Sequence, residues 1–195
     1  MKNSKVTPDI IIYGGPGSGK STQAEILVKK LKAEHMNMGG LLRQTVAKKN
    51  KGWQDAKKYM DKGGLVPERV TSQLVHDFVA RTPKSKRIVF DGYPRRRLQI
   101  NLLQKTQDKF GRIAVMVFVD LGPTVAKQRL VSRAKLEGRV DDADSKIIAE
   151  RIRVFRERAK EVTDYYRRRQ SLIKVNGNQT IKKVAQDIWQ AVKTV

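Results

Sequence analysis

The sequence predicts an α/β fold: a mainly parallel sheet of about five strands with helices on both faces, three layers in all. Three observations lead there. Short apolar runs alternate along the chain with amphipathic stretches of helical period. The loop after the first run is rich in glycine and opens into a helix. No internal repeat and no long linker divides the 195 residues, a length that suits one domain with a proper core.

The strands come first. Ile10 to Tyr13, Ile88 to Phe90, Ile113 to Val119 and Leu172 to Val175 are short, bounded and apolar, as strands covered on both faces are. Helices fill the intervals. Ala24, Leu27, Val28 and Leu31 recur at i, i+3, i+4 and i+7. Ile148, Ile152, Phe155, Ala159, Val162 and Tyr166 keep a helical stripe over a long stretch, and Ile181, Val184, Ala185, Ile188 and Val192 repeat the pattern at the end. Residues 41–81 hold no strand candidate and read as a helical insertion, with Pro67 suited to a first helical turn. Strands joined by helical crossovers put ligands at the carboxyl ends of the strands. The whole chain, 1–195, is therefore read as one domain carrying that insertion.

Composition narrows the function. There is no cysteine, so disulfides, thiolate metal sites and cysteine nucleophiles are out, and no zinc site is expected. The apolar run near the start is only Ile10 to Ile12, far too short for a signal segment or a membrane span, so a cytoplasmic protein without membrane contact is expected. Forty-two Lys and Arg against 19 acids give a formal charge of +23. That imbalance permits an anionic partner, whether nucleotide, nucleic acid or acidic membrane, without choosing among them.

One motif chooses the nucleotide. Gly14-Gly15-Pro16-Gly17-Ser18-Gly19-Lys20-Ser21-Thr22 contains G-x-x-x-x-G-K-S between a strand and a helix, the context the pattern requires. Glycines let successive backbone N–H groups wrap a phosphate at the helix N-terminus, and Lys20 reaches the outer phosphates. This is a loop for a nucleoside triphosphate.

Val89-Phe90-Asp91-Gly92-Tyr93-Pro94-Arg95, followed by Gln99, is the second motif. Arg129, Arg133, Gly138-Arg139-Val140-Asp141-Asp142, Tyr165-Tyr166 and Val175-Asn176-Gly177 follow it. With the phosphate loop, these resemble the adenylate kinases, within the nucleoside monophosphate kinases, over nearly the whole chain. The resemblance implies a P-loop kinase fold, an acceptor-binding lobe at 41–81 and a short lid at 134–150 of the form without zinc. It implies reversible, Mg²⁺-dependent phosphoryl transfer from ATP to AMP by a cytoplasmic monomer. A UMP/CMP-type kinase and a basic nucleic-acid-associated P-loop protein are the alternatives.

The implied roles suit the chemistry. A monophosphate oxygen is already anionic, so transfer needs positioning and charge neutralisation in a dry site rather than a base. Arg43 and Arg95 hold the acceptor phosphate in a planar fork. Arg129 and Arg133, four apart on one helix, share a face and grip the moving group beside Lys20. Arg139 and Arg151 close over it. Asp91 orients waters on Mg²⁺ and Ser21 offers a hydroxyl to the ion. Gln99, with both donor and acceptor, reads the acceptor base. Met38, Gly39, Gly64, Val66 and Gly92 complete that subsite.

Three residues depart from the pattern. Met38 stands where Thr or Ser is expected and offers no hydroxyl to the base; Gly40 stands in place of Asp, and Ser21 in place of Gly. The seven site cations account for only part of the charge, since seven from 23 leaves +16. Arg95 to Arg97 and Arg167 to Arg169 form basic runs, read as solvated surface beyond Arg95, with binding to nucleic-acid phosphates as the rival.

Overall fold

The structure, a computed structural model, describes residues 7–48, 54–62, 64–137 and 144–195. Asp9–Tyr13 (β1) is buried at all five positions and is the middle strand of a five-stranded sheet. Its companions are Glu34–Asn37 (β2), Ile88–Asp91 (β3), Ala114–Asp120 (β4) and Leu172–Asn176 (β5), in the order β2-β3-β1-β4-β5, with every pairing parallel. The helices are Lys20–Leu31 (α1), Met38–Ala47 (α2), Gln54–Asp61 (α3), Glu68–Arg81 (α4), Arg97–Phe110 (α5), Pro123–Glu137 (α6), Ser145–Arg168 (α7) and Ile181–Val192 (α8).

Strand alternation divides the core in two. Ile11 and Tyr13 point to one face with Phe90 and Met36, where α2, α4, α5 and α7 supply Leu42, Phe78, Leu103 and Val162. Ile10 and Ile12 point to the other, where Ala24 and Leu27 of α1 and Val184 and Ile188 of α8 cover Val89 and Val117. Both faces of the sheet are thus closed by helices, as the uninterrupted apolar strands require.

The edge strand β2 is the element the periodicity does not reveal. Its sequence Glu-His-Met-Asn has one fully buried residue, Met36, and no β-branched side chain. It forms because β3 offers it an open edge, register Met36↔Phe90 and Asn37↔Asp91. Tertiary pairing overrides local preference here. Ile113, included in the apolar run, precedes its strand and is 51% exposed.

The amino-terminal edge of the sheet is fixed by ions. Asp9, 2% exposed, receives Arg112 Nε at 2.9 Å and Nη2 at 3.0 Å, and the backbone N–H of Ile88 at 2.8 Å. Arg112 Nη2 also donates to Lys86 O at 2.5 Å. One carboxylate therefore ties β1, the entry of β3 and the end of α5 together, with its charge both paired and hydrogen-bonded. The glycine-rich loop and the turn after Asp91 lie at the opposite, carboxyl edge. There β1 lies between β3 and β4, and the crossovers leave to opposite sides.

Candidate active site

The phosphate loop leaves β1 at that switch point and closes on itself. Ser18 N donates to Gly15 O at 3.2 Å and Lys20 Nζ to the same oxygen at 3.4 Å. Gly17 (φ 76°) and Gly19 (φ 83°) adopt left-handed conformations, Gly19 as the N-cap of α1. A Cβ on Gly17 would stand 2.6 Å from Ala126 O, and one on Gly14 would stand 2.5 Å from Ser18 Oγ. Backbone packs on backbone at Gly17, and the first N–H groups of α1 lack partners within the helix. Ser21 and Thr22 continue in the first turn of α1.

The second motif turns at the end of β3. Asp91 is 3% exposed, and Gly92 (φ 83°) reverses the chain. Arg95 is held twice: its backbone N–H donates to Gln99 Oε1 at 2.7 Å, and its Nε donates to Gly92 O at 2.9 Å. Tyr93 Oη donates to Gln99 O at 3.2 Å, so this turn and the start of α5 form one unit. Arg95 is exposed to solvent in the cleft, with many protein atoms close around its guanidinium. That enclosure, and Arg151 after it, lower its pKa from the ordinary value, while Asp91 and Tyr13 pull it up. It remains a cation with an unmet demand for negative charge.

Two adjoining cavities open here. The first is lined by Gly14, Pro16 and Lys20 of the loop together with Tyr13 and Phe155. The second is lined by Met38, Gly39, Arg43, Gly64, Val66 and Gln99. Leu65, Gly92, Arg95 and Arg151 line both. The two expected subsites therefore meet at two guanidiniums. Arg43 folds back over the start of α2, where a Cβ on Gly39 would come within 3.3 Å of its Nη1. Asn37 caps that helix, accepting from Gly40 N at 2.8 Å.

A profile of the adenylate kinase family matches residues 12–171. The chain belongs to the adenylate kinase family. The adenylate kinase of Flavobacterium psychrophilum is 31% identical over 188 residues, 96% of this chain and 99% of that one. Adenylate kinase isoenzyme 1 of Homo sapiens is 34% identical over 181 residues, 92% and 91% of the two chains. Isoenzyme 1 of Sus scrofa is 33% identical over 196 residues, 100% and 97%. The protein is thus an enzyme, a nucleotide phosphotransferase on the adenylate kinase scaffold. No helix among the described residues is long and apolar enough to cross a membrane.

Arg129, on α6, donates from Nη1 to Gly177 O at 3.1 Å and from Nη2 to Gln179 O at 3.4 Å, which places it against the loop after β5. Arg133 lies one turn further on α6, its side chain outside the described ones. Arg139 and the rest of Gly138 to Asp142 lie outside the described residues, as does much of the lid expected at 134–150. For Mg²⁺ the donors fit: one buried carboxylate, Asp91, and one hydroxyl, Ser21, suit an ion that keeps its waters and rests on nucleotide phosphates. No cluster of three or more His, Asp or Glu able to hold a metal occurs among the described residues.

Among residues without a place in the sequence-based site, two line the loop-side cavity with Leu65 and one lies beside Asp91. Tyr13 ends β1, and its ring packs against Phe118 and Phe155 at 5.8 and 5.6 Å between centroids. Burial pushes its hydroxyl pKa up. Phe155 is four residues beyond Arg151 and so shares its face of α7, a spacing that could have flagged it. His35 Nε2 lies 4.0 Å from Asp91 Oδ2, buried and without a hydrogen-bond partner among the described residues. Only β2, itself missed, brings His35 there.

Proposed function

We propose that Lys20, Arg95 and Arg151, with Arg129, Arg133 and Arg139, carry the reaction of the adenylate kinase family in this chain: reversible transfer of a phosphoryl group from ATP to AMP, giving two ADP. The observation that carries this assignment is the sharing of Arg95 and Arg151 by the loop-side and acceptor-side cavities. A group passing from one nucleotide to the other must cross that boundary, and its spreading negative charge is met there by two fixed cations.

Lys20 and the N–H groups of the loop and α1 hold the outer phosphates of ATP. Arg43 and Arg95 hold the phosphate of AMP, whose oxygen attacks without losing a proton. Gln99 spends one lone pair of Oε1 on Arg95 and keeps its two amide hydrogens and the second lone pair for the base. Mg²⁺, bound with ATP, neutralises phosphate charge, and Asp91 and Ser21 hold its place through water or directly.

The cavities enclose about 50 and 120 Å³, less than the roughly 300 Å³ at which ligand pockets begin. Leu65, from the 41–81 lobe, and Arg151, from α7, pinch both, so these elements separate to admit nucleotides and close again to exclude water. The deciding experiment measures ADP formation from Mg·ATP against AMP, CMP, UMP and GMP at matched salt. Preference for AMP is expected; preference for CMP or UMP would make this a kinase of the alternative acceptor class, and transfer to none would overturn the assignment.

A further inference from the structure

The two basic runs of the sequence, separated by some seventy residues, meet in the fold. Arg97 opens α5 and Arg169 caps the end of α7. Their guanidinium carbons lie over the ring of one residue, Tyr165, at 4.6 and 4.2 Å from its centre. Tyr165 is itself 6% exposed and donates to Gln104 Oε1 at 3.4 Å, so the platform is fixed to both helices. The ring holds the two cations close together on an exposed face.

Arginines beside these in the two runs, and one nearer the start of α7, are matched with acids. Arg96 pairs with Glu68, Arg167 with Asp164, and Arg153 with Glu150 and Glu157. Arg97, Arg168, Arg169 and Lys105 are all exposed and have no acidic partner among the described residues. Arg97 also sits at a helix N-terminus, where the dipole repels a cation. Like charges gathered against their own repulsion, and left unpaired where neighbours are paired, form a surface that an external anion stabilises. The catalytic cations leave +16 of the charge without a role, so a polyanion has much to neutralise.

We propose that this face, built on Arg97, Tyr165 and Arg169, docks the phosphate backbone of single-stranded nucleic acid. A guanidinium lying flat on an aromatic ring presents its N–H edge to phosphate oxygens in a fork, and its outer plane can stack an unpaired base. A duplex offers no such base. A bilayer is the poorer partner, because the exposed apolar side chain beside the pair is the single Leu98, at 53%.

The test uses the full chain and a labelled oligouridylate of about 20 nucleotides, titrated from low salt to about 150 mM. Wild type is compared with Arg97→Gln/Arg169→Gln and with Lys29→Gln/Lys182→Gln, which removes the same charge from exposed positions on α1 and α8. The first variant is expected to bind about tenfold more weakly near physiological salt, with its salt slope lower by about 1.4, and the control to change less than about twofold. ATP-to-AMP transfer by both variants reports that they are folded. Equal losses in the two variants would show diffuse attraction by net charge and overturn a localised site. So would absence of wild-type binding at about 150 mM salt. Loss of binding to vesicles of phosphatidylcholine with phosphatidylserine, with RNA binding unchanged, would assign the face to membranes instead.

Discussion

The Oε1 atom of Gln99 accepts a 2.7 Å hydrogen bond from the backbone N–H of Arg95, so the residue we assign to the acceptor base also fixes the residue we assign to its phosphate. Removing the side-chain amide should therefore damage both functions. For Gln99→Leu we expect kcat/KM for AMP to fall by roughly ten- to a hundredfold, the effect of leaving a buried donor unpaired at about 1–3 kcal/mol. Both terms should contribute, KM rising and kcat falling, in steady-state kinetics at saturating ATP. A change confined to KM would mean that Gln99 only reads the base.

Arg95→Ala and Arg133→Ala should each lower turnover by about a thousandfold, the scale for an arginine acting on a transferring phosphoryl group. Circular dichroism of Arg95→Ala should be unchanged, since no ion pair among the described residues involves Arg95. Losses below tenfold in both would remove them from the clamp.

Met38 is 3% exposed and lines the acceptor cavity with Gln99. Met38→Thr restores a hydroxyl beside the base. It should raise the preference for AMP over CMP and UMP by about three- to tenfold, the value of one neutral hydrogen bond. Competition assays with mixed acceptors measure this directly, and an unchanged ratio would show that base selection rests elsewhere.

Gly17→Ala forces a side chain onto a φ of 76° and to within 2.6 Å of Ala126 O. The loop must distort, at a cost of about 1–3 kcal/mol. The expected outcome is a lower Tm together with a sharply raised KM for ATP, while AMP affinity measured by equilibrium binding is kept.

Arg112→Met breaks the buried pair with Asp9, leaving a carboxylate 2% exposed without its ion. Urea unfolding should show a loss of about 3–5 kcal/mol. Turnover per folded molecule should not change, because this pair lies at the edge of the sheet away from the phosphate loop.

Much of this molecule can be read from its residues, and the gaps have physical causes. The inner strands β1, β3 and β4 declare themselves by apolar runs because helices cover both their faces, and the edge strand β5 by Leu172, Ile173 and Val175; β2 does not, because an edge strand of four residues needs only Met36 to pack. The phosphate loop and the Asp91 to Gln99 turn are legible since their chemistry sits in contiguous residues. His35 beside Asp91 and Phe155 beside Tyr13 are not, because each depends on a contact between distant elements. The basic runs illustrate the same point: composition makes Arg97 and Arg169 surface charge, and only the packing of α5 on α7 brings them to one ring.

The ionic tie of Asp9 to Arg112 bears on how such an enzyme can change over generations. Holding β1, β3 and α5 together from the far end, it lets the carboxyl edge accept residues chosen for chemistry alone. Met38, Gly40 and Ser21, the three departures from the expected pattern, all lie on that free edge. A lineage built this way can alter which nucleotide it serves by exchanging one or two side chains at a time, without renegotiating its ability to fold.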